Sequence, residues 1–513
     1  MIQDRDFNTG SFPRRIVDGI HFSKAHASYQ FAVSALIVIW STLILVSCSG
    51  VGSTVRTAPV SSSASTPIIG AVRSGPDTAP PICGLKNDIT NHIPDAAGWA
   101  DFTPPPAGGT YTDVAYGCPV TRLTNASTDA GSAGEVHYYS LTNPMSAADT
   151  KVMIFDQNGD WHIIDTNGKV VVSISKFPNN NQGIPVWDVA DDSVFWIAVG
   201  NTLRKCTVNG ARHSAACSVN HTFSEYRGYE VNIPDKGDMS PGGWIAMTGQ
   251  SVQGGPFDIF MFNPATETKS PTYTQRFCNG DVVSKQPGCL HSTTVFVGQY
   301  MTADFEAGSP TGSVWWALPF VAPPIAIDAG DHSDLGLDIN GNIVGAFEDY
   351  QPFPGPWGNC QHAFRPTIVP YSSSGVPGAP ECLFDNRSDN PGWHVSFRDS
   401  LQRAWVALST QASSSAEYFN NNSSYQVPSN SNWNVYTNEI VLARVDANND
   451  PAKIYRLALT HSRMQESGKY WTSPRVALSR DGNYVIFDSN AAWGKSGCGK
   501  INTCVDVYLI KIH

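Results

Sequence analysis

From residue 119 onward the chain repeats one polarity pattern: a short turn rich in Asp, Gly, Asn or Ser, then an apolar or alternating run of five to seven residues. It recurs in MSAADTKVMIFD from Met145, VADDSVFWIAV from Val189, MSPGGWIAMTG from Met239, LDINGNIVGAF from Leu337, FRDSLQRAWVALS from Phe397 and LSRDGNYVIFDS from Leu478. Several units continue into a second apolar run, among them WHIIDTNGK, DIFMFNPAT, NEIVLARVDA and DVYLIKI. Short apolar or alternating runs bounded by turn residues predict β-hairpins, and their recurrence predicts the blades of a propeller.

The turns centre near residues 148, 192, 242, 341, 400 and 482, so the first two gaps are 44 and 50 residues. The 99-residue gap after 242 leaves room for one weakly marked blade around TTVFVGQY and GSVWWALPF. The 82-residue gap after 400 is stretched by an Asn/Ser-rich insertion at 411–437. The expected fold is therefore all-β, a seven-bladed β-propeller over 119–513. PVTRLTN, Pro119 to Asn125, is left over at the front and is expected to complete the last blade beside DVYLIKI, closing the ring. A β-sandwich with a separate domain is the rival, but a sandwich uses only about 100 residues.

Before the repeats stand three other segments. Residues 31–47, FAVSALIVIWSTLILVS, form an apolar run preceded by Arg14, Arg15 and Lys24, and the run ends in LVSCSG. That ending resembles a bacterial lipobox with Cys48 as the acylated residue, so 1–48 reads as a lipoprotein signal; an uncleaved membrane anchor is the alternative. Residues 49–80, rich in Ser, Thr and Pro, read as a flexible tether, and 81–118 as a disulfide-closed lead-in. Either reading places the repeats in the cell envelope, facing the periplasm or the cell surface; on the lipoprotein reading a lipid anchor is the only membrane contact.

Cysteine usage agrees. Setting Cys48 aside from eleven cysteines leaves ten, which fall into neighbouring couples: Cys83/Cys118, Cys206/Cys217, Cys278/Cys289, Cys360/Cys382 and Cys498/Cys504. Nearest-neighbour disulfides are the simplest pairing, and zinc is the rival, although no CxxC occurs. A net charge of −11 without a long basic run excludes nucleic acid as a partner.

Candidate chemistry lies where each predicted inner strand begins, since those positions surround the central funnel of a propeller. They offer His137, Tyr138 and Tyr139; Trp187 and Asp188; His291; His332, Ser333 and Asp334; Arg387, Trp393 and His394; and His461, Arg463, Tyr470 and Trp471. Two explanations compete. Polar side chains tie one blade to the next by hydrogen bonds to turn amides, or they converge on a ligand, with aromatics stacking on sugar rings and His, Arg and carboxylates fixing hydroxyls or acids. The adjoining DINGN, Asp338 to Asn342, reads as a hairpin turn and does not fit an EF-hand loop. No GxSxG precedes a helix, and no HExxH or Gly-rich phosphate loop is present.

The units ALSRDGNYVIFDSN and MSAADTKVMIFD, with the VTRLT strand, resemble blades of the TolB-like and oligogalacturonate-lyase-like propellers over about residues 119–513. The resemblance implies two further functions. One is a polysaccharide lyase acting on a uronate-containing glycan, with a divalent metal on His332 and His461, and Arg387 or Arg463 against the uronate. The other is an envelope scaffold of TolB type. The leading expectation needs no cofactor: a propeller that binds a glycan or an envelope protein at its funnel face.

Overall fold

The structure is a computed structural model. It describes residues 81–129, 134–178, 183–227, 231–233, 237–251, 257–275, 290–296, 300–305, 312–317, 325–327, 333–347, 367–370, 378–385, 394–397, 405–410, 433–462, 469–493, 498 and 504–512. The signal segment with Cys48 and the tether lie outside these residues. Among the described residues no helix is long and apolar enough to cross a membrane.

The fold is all-β. Antiparallel sheets of four or five strands follow one another along the chain, within 135–172, 186–222, 231–275, 290–327, 333–382, 394–459 and 476–511. The fourth fills the long gap in the turn spacing. Two sheets gain strands from the lead-in. Leu85–Lys86 pairs with the outer edge of the sixth, at Ile454–Leu459. Thr110–Thr112 and Pro119–Arg122 extend the seventh, where Val120 stands opposite Ile510 of Asp506–Lys511. The front strand thus pairs with the C-terminal one, as its sequence predicts.

The turns form for a local reason. In the seventh sheet the Ser479 amide donates to the Tyr484 carbonyl, while its Oγ accepts from the amides of Asn483 (3.1 Å) and Tyr484 (3.0 Å). Gly482, at φ +67°, supplies the left-handed residue such a turn requires. Ser146 receives the Lys151 amide in the same way, and Ser240 that of Trp244. In DINGN, Asp338 does the work of the serine, its Oδ1 accepting from the amides of Asn340 and Asn342.

Among the described residues the apolar core lies between neighbouring sheets. One cluster joins the first and second sheets through Phe155, Ile163, Trp187 and Phe195; another joins the second and third through Trp196, Phe223, Met247 and Phe260. Val395, Val406, Ala346 and Ile368 join the fifth and sixth. Trp405, Leu442, Val476 and Phe487 join the sixth and seventh, and Ile154, Ile164, Ile486 and Leu509 join the seventh to the first.

Disulfides Cys83–Cys118, Cys206–Cys217 and Cys498–Cys504 match the nearest-neighbour pairing, and Cys382 is disulfide-bonded as well. Cys278, Cys289 and Cys360 lie outside the described residues. The first of these bridges locks the lead-in, which is also held by Arg456. That buried guanidinium donates to both oxygens of Glu439 (2.7 and 2.6 Å), to the Thr90 carbonyl (2.7 Å) and to Tyr116 Oη (2.9 Å).

The junction of Pro119–Arg122 with the last strand carries a buried ion pair. Arg122 Nη2 donates to Asp506 Oδ2 at 2.7 Å, and Asp506 Oδ1 accepts from Thr124 Oγ1 and the Ala126 amide. Burial nevertheless raises the Asp506 carboxyl to about 7, the Arg122 charge opposing it. Arg122→Ala removes the charge that opposes this rise, leaving Asp506 protonated with its Oδ2 partner gone, and is expected to destabilise the protein by about 1–3 kcal/mol in denaturant melts near neutral pH. A loss under about 1 kcal/mol would show that this junction does not hold the two strands together.

Candidate functional site

The inner strand of the first sheet is interrupted. Val136 pairs with Phe155 and Met145 bridges Val152, so residues 137–144 stand opposite only Met153 and Ile154. All of this excursion is buried, and Tyr138 adopts φ +79°, an unusual backbone for an aromatic residue. In its sequence, HYYSLTNP, the closing Asn-Pro is a turn signal, but nothing before it foretells the departure at His137.

The excursion is tied to the seventh sheet at one end and to the third at the other. Asp488 Oδ1 accepts from His137 Nδ1 (2.8 Å) and from the His137 amide (3.1 Å). Arg475 Nε lies 3.3 Å from Asp488 Oδ2, and Arg475 Nη1 donates to the Tyr138 carbonyl at 2.8 Å. This fixes the imidazole and leaves its buried Nε2 without a hydrogen-bond partner among the described residues. Ser140 Oγ and Asn143 Nδ2 are buried in the same condition.

At the other end the Asn143 amide donates to Asp238 Oδ2 at 3.0 Å, and Thr142 Oγ1 donates to the Gly237 carbonyl at 3.3 Å. Arg480, from the turn of the seventh sheet, donates through Nη1 to the Met239 carbonyl at 3.2 Å; its Nη2 lies 3.9 Å from Asp238 Oδ1. Asp149 sits beside this group with φ +54°. Burial, then repulsion from Asp481, raise its carboxyl to about 7 against the opposing pull of Ser479, Arg480 and Asn483. Asp238, Arg480 and Asp149 were not among the candidates from sequence, because each sits within or beside a turn that has a sufficient structural reason of its own.

The predicted candidates separate into groups. Tyr139 of the first sheet meets His394 of the sixth edge-on, ring centroids 5.5 Å apart, although the seventh sheet intervenes in chain order. Trp187 is taken up in the core between the first two sheets, its Nε1 donating to the Pro144 carbonyl at 2.8 Å. Asp188 closes its own turn, accepting from the Ala190 and Asp191 amides and from Trp196 Nε1. Asp334 staples the fifth sheet to the sixth, Oδ2 accepting from the Phe397 amide at 2.6 Å. A Cβ at Gly336 would come within 2.4 Å of the Phe397 ring, so glycine is what lets this seam close. Trp471 stacks over Phe155, centroids 6.1 Å apart.

His461 lies elsewhere. It follows the outer strand of the sixth sheet and stacks on Phe102 (3.7 Å, 7°) and Trp99 (4.8 Å, 25°) of the lead-in. The lead-in covers that edge, so the side chain meets it and joins neither His137 nor His394. His332, Arg387 and Arg463 lie outside the described residues. Among the described residues no group of three or more His, Cys, Asp or Glu side chains could hold a metal ion.

No family model and no curated protein matches the sequence. Among solved structures the chain is similar to an oligogalacturonate lyase from Vibrio parahaemolyticus, with 10% identity and a TM-score of 0.45 over 79% of this chain and 96% of that one. It is also similar to a luciferin-regenerating enzyme, with 8% identity and a TM-score of 0.33 over 79% and 95% of the two chains. A third likeness is to the β-propeller domain of the Trilobed protease from Pyrococcus furiosus, with 11% identity and a TM-score of 0.28 over 57% and 73%.

Asp149 gives the site a pH signature. Its folded value, about 7, stands above the ordinary 3.8, so the folded state holds this proton more tightly than the unfolded chain. The resulting stability is complete below the ordinary value and is lost as pH rises through about 7. Asp149→Asn, neutral throughout, is expected to melt higher than the unsubstituted chain at pH 8 and to lose that advantage by pH 4. Thermal melts across this interval check it; a difference that does not change with pH would be the wrong result.

Proposed function

We propose that the chain is a lipid-anchored, extracytoplasmic seven-bladed propeller that binds a glycan or an envelope protein at the funnel face formed by its inner-strand entrances. The observation that carries this reading is the meeting of Tyr139 and His394, which brings side chains of two non-adjacent sheets together at the axis. Around them Ser140 Oγ and His137 Nε2 are buried polar atoms with no hydrogen-bond partner among the described residues, as expected where a ligand's hydroxyls or ordered water complete the hydrogen bonding. The seven successive sheets and the pairing of front strand with last support the closed ring. The three disulfides support an oxidising compartment, and the lipobox-like LVSCSG supports acylation at Cys48.

Among the described entrance residues His137, Trp187 and Asp334 tie sheets together, which leaves Tyr139 and His394 as the pair to test for binding. The test uses the full chain in detergent against immobilised glycans and solubilised envelope proteins, with His394→Ala as the site variant. Binding weakened about tenfold or more in a variant of unchanged melting behaviour supports the reading. Binding unaffected by His394→Ala overturns the site, and an absence of binding to both classes overturns the function. Should acidic polysaccharides develop the ultraviolet absorbance of an unsaturated uronate, the lyase reading replaces it.

A further inference from the structure

We infer that Arg480 latches the propeller axis shut at its turn end, making the funnel blind, so that a ligand reaches it only from the face of the inner-strand entrances. This rests on the seven-bladed reading and adds a direction of approach. In a ring of seven, the third and seventh sheets stand three places apart, the largest separation available. A hydrogen bond of 3.2 Å from Arg480 to the Met239 carbonyl therefore spans the axis rather than a seam. The first sheet adds a second crossing, from the Asn143 amide to Asp238 at 3.0 Å.

The two crossings share one carboxylate. Asp238 is fully buried and its oxygens face the Asn143 amide, the Met239 amide and the Arg480 guanidinium. A buried carboxylate surrounded by donors from three separate segments favours a single geometry, since removing any donor leaves charge without solvent. Direction follows from chain order. Met239 bridges Ile245, and Arg480 lies in the turn that leaves Val476–Leu478, so both mark the far ends of their inner strands. His394 begins its strand and Asp334 lies near the start of its own, at the opposite face. A glycan would thus be held by its end or its side, and no polymer would thread the axis.

Hydrogen exchange of the full chain, read by mass spectrometry, tests the latch without any ligand. Peptides covering residues 142–145 and 237–241 are expected to be protected, and to exchange about tenfold faster in Arg480→Ala while Glu439–Arg444 is unchanged. Should Arg480→Ala fail to fold, Arg480→Lys, which keeps the charge but loses the fork, is read in the same way. Exchange as fast as an exposed turn in the unsubstituted chain, or unaltered by the substitution, overturns the latch. Because no glycan is involved, a failed binding screen would remove the proposed function and leave this result standing.

Discussion

The structure depends on pairing strands that lie far apart along the chain. A sheet of four strands leaves two unpaired edges, and an exposed edge recruits other chains. Here Asp506–Lys511 finds its partner in Pro119–Arg122, and Thr110–Thr112 then covers that partner. The pairing is secured by Arg122 and Asp506, 384 residues apart in sequence. The lead-in repeats the device on the sixth sheet, where Leu85–Lys86 covers the outer strand and Arg456 reaches across to Thr90 and Tyr116. In the seven-bladed reading, closing the chain on itself also fixes where the first sheet meets the seventh, and so where the axial excursion can begin.

The sheets were legible in the sequence because their turns are local chemistry. Ser146, Ser240, Ser479 and Asp338 each satisfy amides within five residues of themselves, so the signal is complete inside a short window. The front strand was legible by elimination, as a leftover run next to a last sheet that lacked a strand. The lead-in strands were not, since Leu85–Lys86 is too short for any periodicity and pairs only because an edge is available.

The candidate site was legible only as a list. That His137 enters an inner strand follows from the repeat; that its Nδ1 is held by Asp488, 351 residues away, does not. The same holds for Asp334, whose partner is an amide and so has no side-chain signature. His461 shows the opposite failure. Its place before the seventh sheet suggested the funnel, yet the chain leaving the sixth sheet first passes under Trp99 and Phe102, and the imidazole stays there.

The buried excursion of residues 137–144 is what separates the first sheet from a plain antiparallel sheet. A continuous inner strand would satisfy the backbone of residues 137–144 and demand no positive φ at Tyr138, a conformation that costs on the order of 1–3 kcal/mol. Instead the segment leaves His137 Nε2, Ser140 Oγ and Asn143 Nδ2 buried without hydrogen-bond partners among the described residues, and Arg475 and Asp238 hold it from both ends. Stability alone gives no reason for such an arrangement, since an alternating apolar strand would serve it better. In the seven-bladed reading the excursion would fill the axis at the turn end and present Tyr139 towards His394 at the other, the division of labour a blind funnel needs.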